Sequence, residues 1–341
     1  MKTSRFDSTM KLDVIVPTYN RQEMLKRTLD SLLAARVPED LSVLVTVVDN
    51  NSKDKTRDVV ESYVERYGRE RVRYLLEKEQ GRSPAINAGI RATDGDLVGT
   101  IDDDEEIDAG WYEQVAEAFS DGSVDFIGGP CAPRWGMECP EWFPRSYSGV
   151  VGWVDGGDKI CPFDENYPGI LMGGNSVLRR TTLEKVGLYT TALGRTDKHL
   201  LSCEDEDMYH RLRDAGARGF YLPGLIIYHY IPAERLTKRY FRQWSFWRGV
   251  SMGLIDRGRR SPVAYFLGVP RWIVGKAARG ALRKVVRVVS FDKNRAESFA
   301  DELAVWDFAG FFYGKHFYRE AKDAKSAVET GNDSLAVSRT S

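Results

Sequence analysis

The 341-residue sequence is poor in several things that would each have set its class. It has no apolar run of 18 residues, so no segment reads as a membrane-spanning helix. Its four cysteines, Cys131, Cys139, Cys161 and Cys203, contain no Cys-x-x-Cys pair, which excludes a zinc knuckle or a disulfide framework and fits a reducing cytosol. The N-terminal "MKTSRFDSTMKLDVIVPTYN" lacks an apolar stretch of signal-peptide length, so secretion by that route is not expected. Net charge is almost absent too, at −1. With 42% hydrophobic residues the chain can bury a large core unaided, and a cytoplasmic globular enzyme is the default expectation.

The missing net charge is a cancellation. Residues 231–295 hold sixteen Lys or Arg against three Asp or Glu, a net of +13; residues 1–230 carry −11 and residues 296–341 carry −3. Against this background "TIDDDEEI", Thr100 to Ile107, places five carboxylates in a row. Such groups repel one another and raise each other's pKa unless a positive partner lies among them.

Strand and helix patterns alternate ahead of that cluster. "LDVIVPTYN", "LSVLVTVVDNNS", "RVRYLLE" and "DLVGTIDDDEEID" read as strands, and the segments between them carry apolar residues at helical spacing, such as Met24, Leu25, Leu29, Leu32 and Leu33. Gly68 closes the second helix, and Ser83 and Pro84 read as the N-cap and first residue of the third. This alternation implies an α/β fold whose sheet is covered on both faces, with ligands at the carboxyl ends of the strands. From about residue 122 the pattern loosens. "VDFIGGP" is a strand, residues 131–153 read as a long functional loop region rich in Pro, Gly and Trp, and "GILMGGNSVLRR", "TTLEKVG", "CEDEDMYHRLRDAG" and "GFYLPGLIIYHYI" follow as strand, helix, helix and strand pair.

For Asp102, Asp103 and Asp104 a hard divalent cation, Mg²⁺ or Mn²⁺, is the partner the chemistry favours over a solvated acidic turn, because such ions take carboxylates together with substrate phosphates. Glu204 and Asp205 stand where a loop meets a helix; they are dipole partners of that helix or, facing a cleft, a general base for a sugar hydroxyl. His229 ends an apolar strand as a structural residue or a metal ligand. His199, His210 and His316 carry no assignable role.

"VIVPTYNR", "VVDNNSKDKT", "GRSPAINAGI", "IDDDEEI", "GGNSVLRR" with "VGLY", and "CEDEDMYHRL" occur in an order and spacing that resemble inverting glycosyltransferase family 2, over residues 12 to about 230. The resemblance implies the GT-A fold, a Rossmann-like nucleotide-binding sheet, mixed at its centre, with helices on both faces. It implies a nucleoside site at Pro17, Thr18, Tyr19, Arg21 and Asp49, a nucleotide contact at Arg82, and a ribose-side contact at Asp102 or Asp103. Asp104 is then the metal ligand, with His229 as a further one, and Asp205 the catalytic base with Glu204 beside it. The implied reaction is a metal-dependent single displacement of a sugar from a nucleotide-sugar donor, a UDP-sugar favoured, onto a glycan, glycolipid or lipid-linked acceptor of polysaccharide biosynthesis. A nucleotidyltransferase would need a Gly-rich basic loop after the first strand, where "PTYNRQEM" stands. A non-catalytic binding module has no need of both Asp104 and Asp205.

The segment after His229 departs from the processive members of that family, with "RQWSFWRG" in place of their Gln-x-x-Arg-Trp. Arg248 or Arg242 is there to clamp a diphosphate, or the aromatics are core and the arginines a solvated face. Residues 269–290 read as an amphipathic helix, Lys276, Arg279, Arg283 and Arg287 on one side and Val274, Ala278, Leu282, Val285 and Val289 on the other. It either lies on an anionic membrane surface at the inner face or packs on the domain with its basic face solvated; nucleic acid is disfavoured by the sugar-nucleotide motifs upstream. Phe299, Leu303, Trp306 and Phe311 belong to a further helix, against the core or in a homodimer interface. Trp135, Trp142 and Trp153 either stack on acceptor sugars or are core. The expected organisation is an extension over 1–11, a catalytic domain over 12–232 with its nucleotide half at 12–121 and acceptor half at 122–232, a basic and aromatic helical region over 233–325, and a disordered tail over 326–341.

Overall fold

Residues 9–167, 169–191, 204–258, 263–290 and 294–318 are described by the computed structural model. The tail 326–341, most of the N-terminal extension, and the loop before Asp205 with His199 and Cys203 lie outside the described residues.

Three βα steps and a fourth strand open the chain: β1 (Met10–Thr18), α1 (Gln22–Ala34), β2 (Leu41–Asp49), α2 (Thr56–Tyr67), β3 (Val72–Leu76), α3 (Arg82–Arg91) and β4 (Leu97–Thr100). After the acid cluster come β5 (Glu105–Ile107), α4 (Trp111–Phe119), β6 (Phe126–Gly128), β7 (Cys131–Trp135), a 3₁₀ turn over Arg145–Val151, β8 (Cys161–Pro162), β9 (Ser176–Arg179), α5 (Arg180–Val186), α6 (Glu204–Asp214), β10 (Gly219–Tyr221) and β11 (Ile227–Ile231). α7 (Lys238–Gly258), the β12–β13 hairpin (Tyr265–Phe266 and Val269–Pro270), α8 (Arg271–Val289) and α9 (Arg295–His316) complete it.

The main sheet has the order β3-β2-β1-β4-β9-β6-β10-β8. Its first four strands are parallel, β9 is antiparallel to both neighbours, and β10 is parallel to β6, which gives the mixed central sheet of the GT-A fold. Side chains alternate along β1, so Leu12, Val14 and Val16 join the core under α1, α2 and α4, while Ile15 joins the opposite core under α3, α5 and α6. A small sheet, β5-β11-β7, stands beside it; β10 and β11 are therefore not partners, because each completes a different sheet.

One local expectation gives way to tertiary packing, and the alternatives left open for the aromatic segments resolve toward the core. α3 starts at Arg82 behind Gly81, whose φ of 140° favours glycine, so Ser83 is a buried residue of the first turn and not the cap. Within residues 131–153 the tryptophans are partly buried in an aromatic cluster, Trp135 edge-on against Phe143 and Trp153 and Trp142 against Phe241 and Phe299, while Ser146, Tyr147 and Gly149 to Gly152, in and just after the 3₁₀ turn, face the cleft described below. The three tryptophans thus join the chain to α7 and α9. Phe299 and Leu303 of α9 are buried in that cluster and Phe311 in a second one with Val269 and Ile273, while Trp306 is exposed. Glycines set that contact, since a Cβ on Gly253 would lie 2.6 Å from the carbonyl oxygen of Phe311, and one on Gly310 would collide with that of Phe246.

Candidate active site

β1, β2 and β4 are adjacent and parallel, so their carboxyl ends open onto one place. Asn20 and Asn51 take left-handed φ values of 54° and 67° just beyond β1 and β2, a conformation asparagine tolerates. Asn20 locks the two turns together: its Oδ1 accepts from the Lys53 amide at 2.6 Å, and its amide donates to Ser52 Oγ at 3.0 Å.

The acid cluster leaves β4 in a tight reversal. The Asp102 amide donates to Glu105 Oε2 at 2.8 Å and the Glu105 amide to the Asp102 carbonyl at 3.2 Å. Asp102 through Glu105 line a cleft of about 680 Å³. The positive partners expected from a metal ion are supplied in part by arginines of the chain. Arg82 Nε holds Asp102 at 2.9 Å; Arg21 Nη1 holds Asp103 at 3.0 Å and Asp104 Oδ2 at 2.9 Å; Arg235 Nη2 reaches the same Asp104 oxygen at 3.4 Å. Glu106 turns away from the cleft to Arg134 at 2.5 Å.

Burial works against ionisation at Asp103, Asp104 and Glu105, and the local charges decide the outcome. Asp104 stays well below the usual carboxylate range because His229, Arg235 and Arg21 outweigh its burial. Asp103 is pushed up to about 6, burial and the Asp104 charge together overcoming Arg21 and Thr18. Glu105 goes well above its ordinary value through burial and the charges of Asp102 and Asp104. Arg82, despite burial, is held more firmly protonated by Asp102, Asp205 and Glu204.

Arg82 also joins the two halves of the site. Its Nη1 donates to Asp205 Oδ1 at 3.0 Å and to Glu204 Oε1 at 3.4 Å, at the start of α6. Gly173 and Gly174 make the room: a Cβ on Gly174 would stand 2.5 Å from Glu105 Oε1, and one on Gly173 would overlap the Asp205 carboxylate. Asn175 fixes this segment, accepting from the Trp111 indole at 2.9 Å and donating to the Leu225 carbonyl at 2.7 Å. His229, in register opposite Glu105, places Nε2 3.5 Å from Asp104 Oδ1 and 3.2 Å from Arg235 Nη1, and its Nδ1 is buried with no hydrogen-bond partner among the described residues.

Of the residues expected from sequence, Pro17, Thr18, Tyr19, Arg21, Arg82, Asp102, Asp103, Asp104, Glu204, Asp205, His229 and Arg248 all line this cleft. Asp49 does not. Its Oδ2 accepts from Tyr74 Oη at 2.9 Å and its Oδ1 from the Ser52 amide at 2.8 Å, and the neighbouring Asn50 lines the cleft instead. Arg242 is elsewhere, 2.5 Å from Glu302. Sequence reasoning missed Arg235, Lys276, Tyr147 and Trp244, which also line the cleft. Arg235, Lys276 and Trp244 lie in the basic segment 231–295, whose charge excess was the available signal. His210 stands 4.0 Å from the cleft residue Glu206, and His316 Nε2 lies 3.0 Å from the Leu267 carbonyl; neither histidine lines the cleft.

The chain is 27% identical over 244 residues to succinoglycan biosynthesis protein ExoM of Rhizobium meliloti, which covers 69% of this chain and 74% of that protein. It is 32% identical over 120 residues to a GalNAc(5)-diNAcBac-PP-undecaprenol beta-1,3-glucosyltransferase of Campylobacter jejuni, covering 35% of this chain and only 37% of that one. Among solved structures, the mannosyltransferase PcManGT of Pyrobaculum calidifontis, in complex with GDP-Man and Mn²⁺, superposes with a TM-score of 0.57 at 19% identity, covering 92% of this chain and 91% of that one, a likeness of fold. The sequence profile described as glycosyl transferase family 2 matches residues 13–187, just over half of the chain, and the chain belongs to that family.

Proposed function

We propose that this glycosyltransferase inverts configuration, moving a sugar from a nucleoside diphosphate donor to a hydroxyl of a glycan, glycolipid or lipid-linked acceptor in polysaccharide biosynthesis, on the cytoplasmic side. The observation that carries the reading is Arg82, which ties Asp102 of the acid turn to Asp205 at the start of α6, so that a nucleotide end and a base face one cleft.

The residues fit a divalent ion. Arg21 and Arg235 both take Asp104 Oδ2, and Oδ1 lies 3.5 Å from His229 Nε2, so a hard oxygen and an imidazole nitrogen would form a donor pair once Arg235 Nη1, 3.2 Å from the same nitrogen, gives way to the ion. Two protein donors with phosphate oxygens to complete the shell suit Mn²⁺ or Mg²⁺, and such an ion offsets charge building on the departing diphosphate. Pro17, Thr18, Tyr19 and Asn50 form the nucleoside end, with Asp49 behind them holding the turn through Ser52. Asp205 takes the proton of the acceptor hydroxyl as its oxygen bonds to the anomeric carbon from the face opposite the diphosphate, whose C–O bond breaks with the electron pair. Glu204, buried beside it, shares the Arg82 charge and orients it.

Titration calorimetry with UDP and GDP, with and without Mn²⁺, tests the donor end; UDP-linked sugars are the favoured donors. Binding that needs metal and is lost in Asp104→Ala supports the reading, and no binding under any metal condition refutes it. Asp205→Asn should abolish transfer and keep nucleotide affinity; transfer surviving in that variant would move the base elsewhere.

A further inference from the structure

Among the described residues, eight of the fifteen large apolar side chains that are exposed fall between positions 263 and 289. Four of them, Leu282, Val285, Val286 and Val289, lie on α8 with exposures of 64, 61, 55 and 73%. With Gly275 and Ala278 they recur every three or four positions and form one face of the helix. Sequence patterning leaves open whether that face packs inward or lies on a membrane surface, and in the second half of the helix it is the outer one. Arg283 pairs with Asp301 at 2.5 Å, Lys284 with Glu302 at 2.6 Å and Arg287 with Glu297 at 2.8 Å, all on α9, and a Cβ on Gly280 would lie 2.7 Å from the Asp301 carbonyl oxygen. The inner face is thus held by charge on α9, and the valines are left outside.

An exposed apolar patch of this kind marks an interaction surface. Its surroundings name the partner. α8 has no Asp or Glu, and Arg271 and Arg279 are exposed beside the stripe. A second copy of the chain would bring these cations against themselves across a two-fold axis, with no acid on the helix to offset them. The hairpin leading into α8 also ends in exposed Phe266 and Leu267, the latter at a φ of 49° that a leucine rarely adopts, and Trp272 follows at 54% exposure. No described helix is long and apolar enough to cross a membrane.

We propose that this outer face of α8, with the hairpin tip before it, docks on an anionic lipid bilayer, the valines and Leu282 entering the headgroup boundary and Arg271 and Arg279 meeting lipid phosphates. The proposal is independent of the sugar-transfer reading and is tested without donor or acceptor. Flotation of the full chain with phosphatidylcholine vesicles containing about 30% phosphatidylglycerol should show binding that falls about tenfold between about 0.1 and 0.5 M NaCl. Val285→Glu with Val289→Glu, both on exposed positions, should lower partitioning about tenfold or more with an unchanged circular dichroism spectrum. Arg271→Gln with Arg279→Gln should remove the salt-sensitive part and leave the weaker apolar part. No partitioning of the wild type, equal partitioning onto pure phosphatidylcholine, or undiminished binding of the Val285/Val289 variant would each overturn the proposal. So would a wild-type dimer in sedimentation equilibrium that this variant dissolves, which would assign the face to a second copy.

Discussion

The carboxylate of Asp205 rests against the bare α-carbon of Gly173, where any side chain would overlap its oxygens. Arg82 holds the same carboxylate from the other side at 3.0 Å. Gly173→Ala should therefore displace the base while leaving the nucleotide end in place. We expect kcat to fall about a hundredfold, the scale of a misplacement of about 1 Å, with nucleoside diphosphate affinity changed less than about threefold. Kinetics and calorimetry on one preparation decide it; equal losses in both would make Gly173 a general packing residue.

Arg82 satisfies Asp102, Glu204 and Asp205 with one buried guanidinium, whose fork reaches in two directions at once. A lysine is a single point charge and cannot span them. Arg82→Lys should cost about 2 kcal/mol in urea unfolding, because it leaves the buried Glu204 and the partly exposed Asp102 and Asp205 incompletely paired, and should weaken nucleotide binding as well as turnover. An unchanged unfolding midpoint would show that the three acids are held by other means.

Glu302 gives the C-terminal helices a pH dependence with a definite sign. Burial pushes its carboxyl up, but hydrogen bonds from Arg242 and Lys284 win and bring it down to about 2. A group whose pKa is depressed by folding stabilises the fold above its unfolded value, near 4.5, and loses that contribution as pH falls toward 2. Both cations are partly exposed, so solvent screening reduces the effect to about 1–2 kcal/mol. Urea midpoints between pH 6 and 3 should drop more steeply for the wild type than for Glu302→Gln; parallel curves would remove Glu302 from the account.

The βα alternation and the strand-end acids were legible because strand burial and loop position leave direct marks in composition: Leu12 to Val16 form a nearly unbroken apolar run buried on both faces of the sheet, and Asp102 to Asp104 follow β4 almost at once. What was not legible depends on a distant partner. A helical pattern shows that α8 has two faces and cannot say which is inside; Asp301 and Glu302, on the next helix, settle it. Ser83 had the chemistry of a cap, but Arg82 is drawn into the first turn toward Asp102 and Asp205, and Gly81 takes the reversal in its place. Arg235 was one cation among sixteen until the 3₁₀ turn after β11 set it beside Asp104.

The cleft wall opposite the strand ends is built from that same basic segment. Arg248 on α7 and Lys276 on α8 approach Asp307 of α9 at 3.8 and 3.9 Å, and Tyr147 Oη donates to Asp307 at 2.9 Å. Asp307 is buried, which pushes its carboxyl up, while Arg248, Lys276 and the tyrosine oppose the rise. Both cations and Tyr147 line the cleft, so an incoming phosphate competes with Asp307 for them. Arg248→Ala and Lys276→Ala should each weaken nucleoside diphosphate binding about tenfold, less so in high salt, and leave the affinity for the bare nucleoside unchanged. Asp307→Asn, which keeps an acceptor for Tyr147 and removes the competing charge, should act in the opposite direction and tighten the diphosphate a few-fold. If nucleoside and diphosphate affinities fall together in the alanine variants, the wall acts by shape, and the opposite sign expected for Asp307→Asn would then be absent.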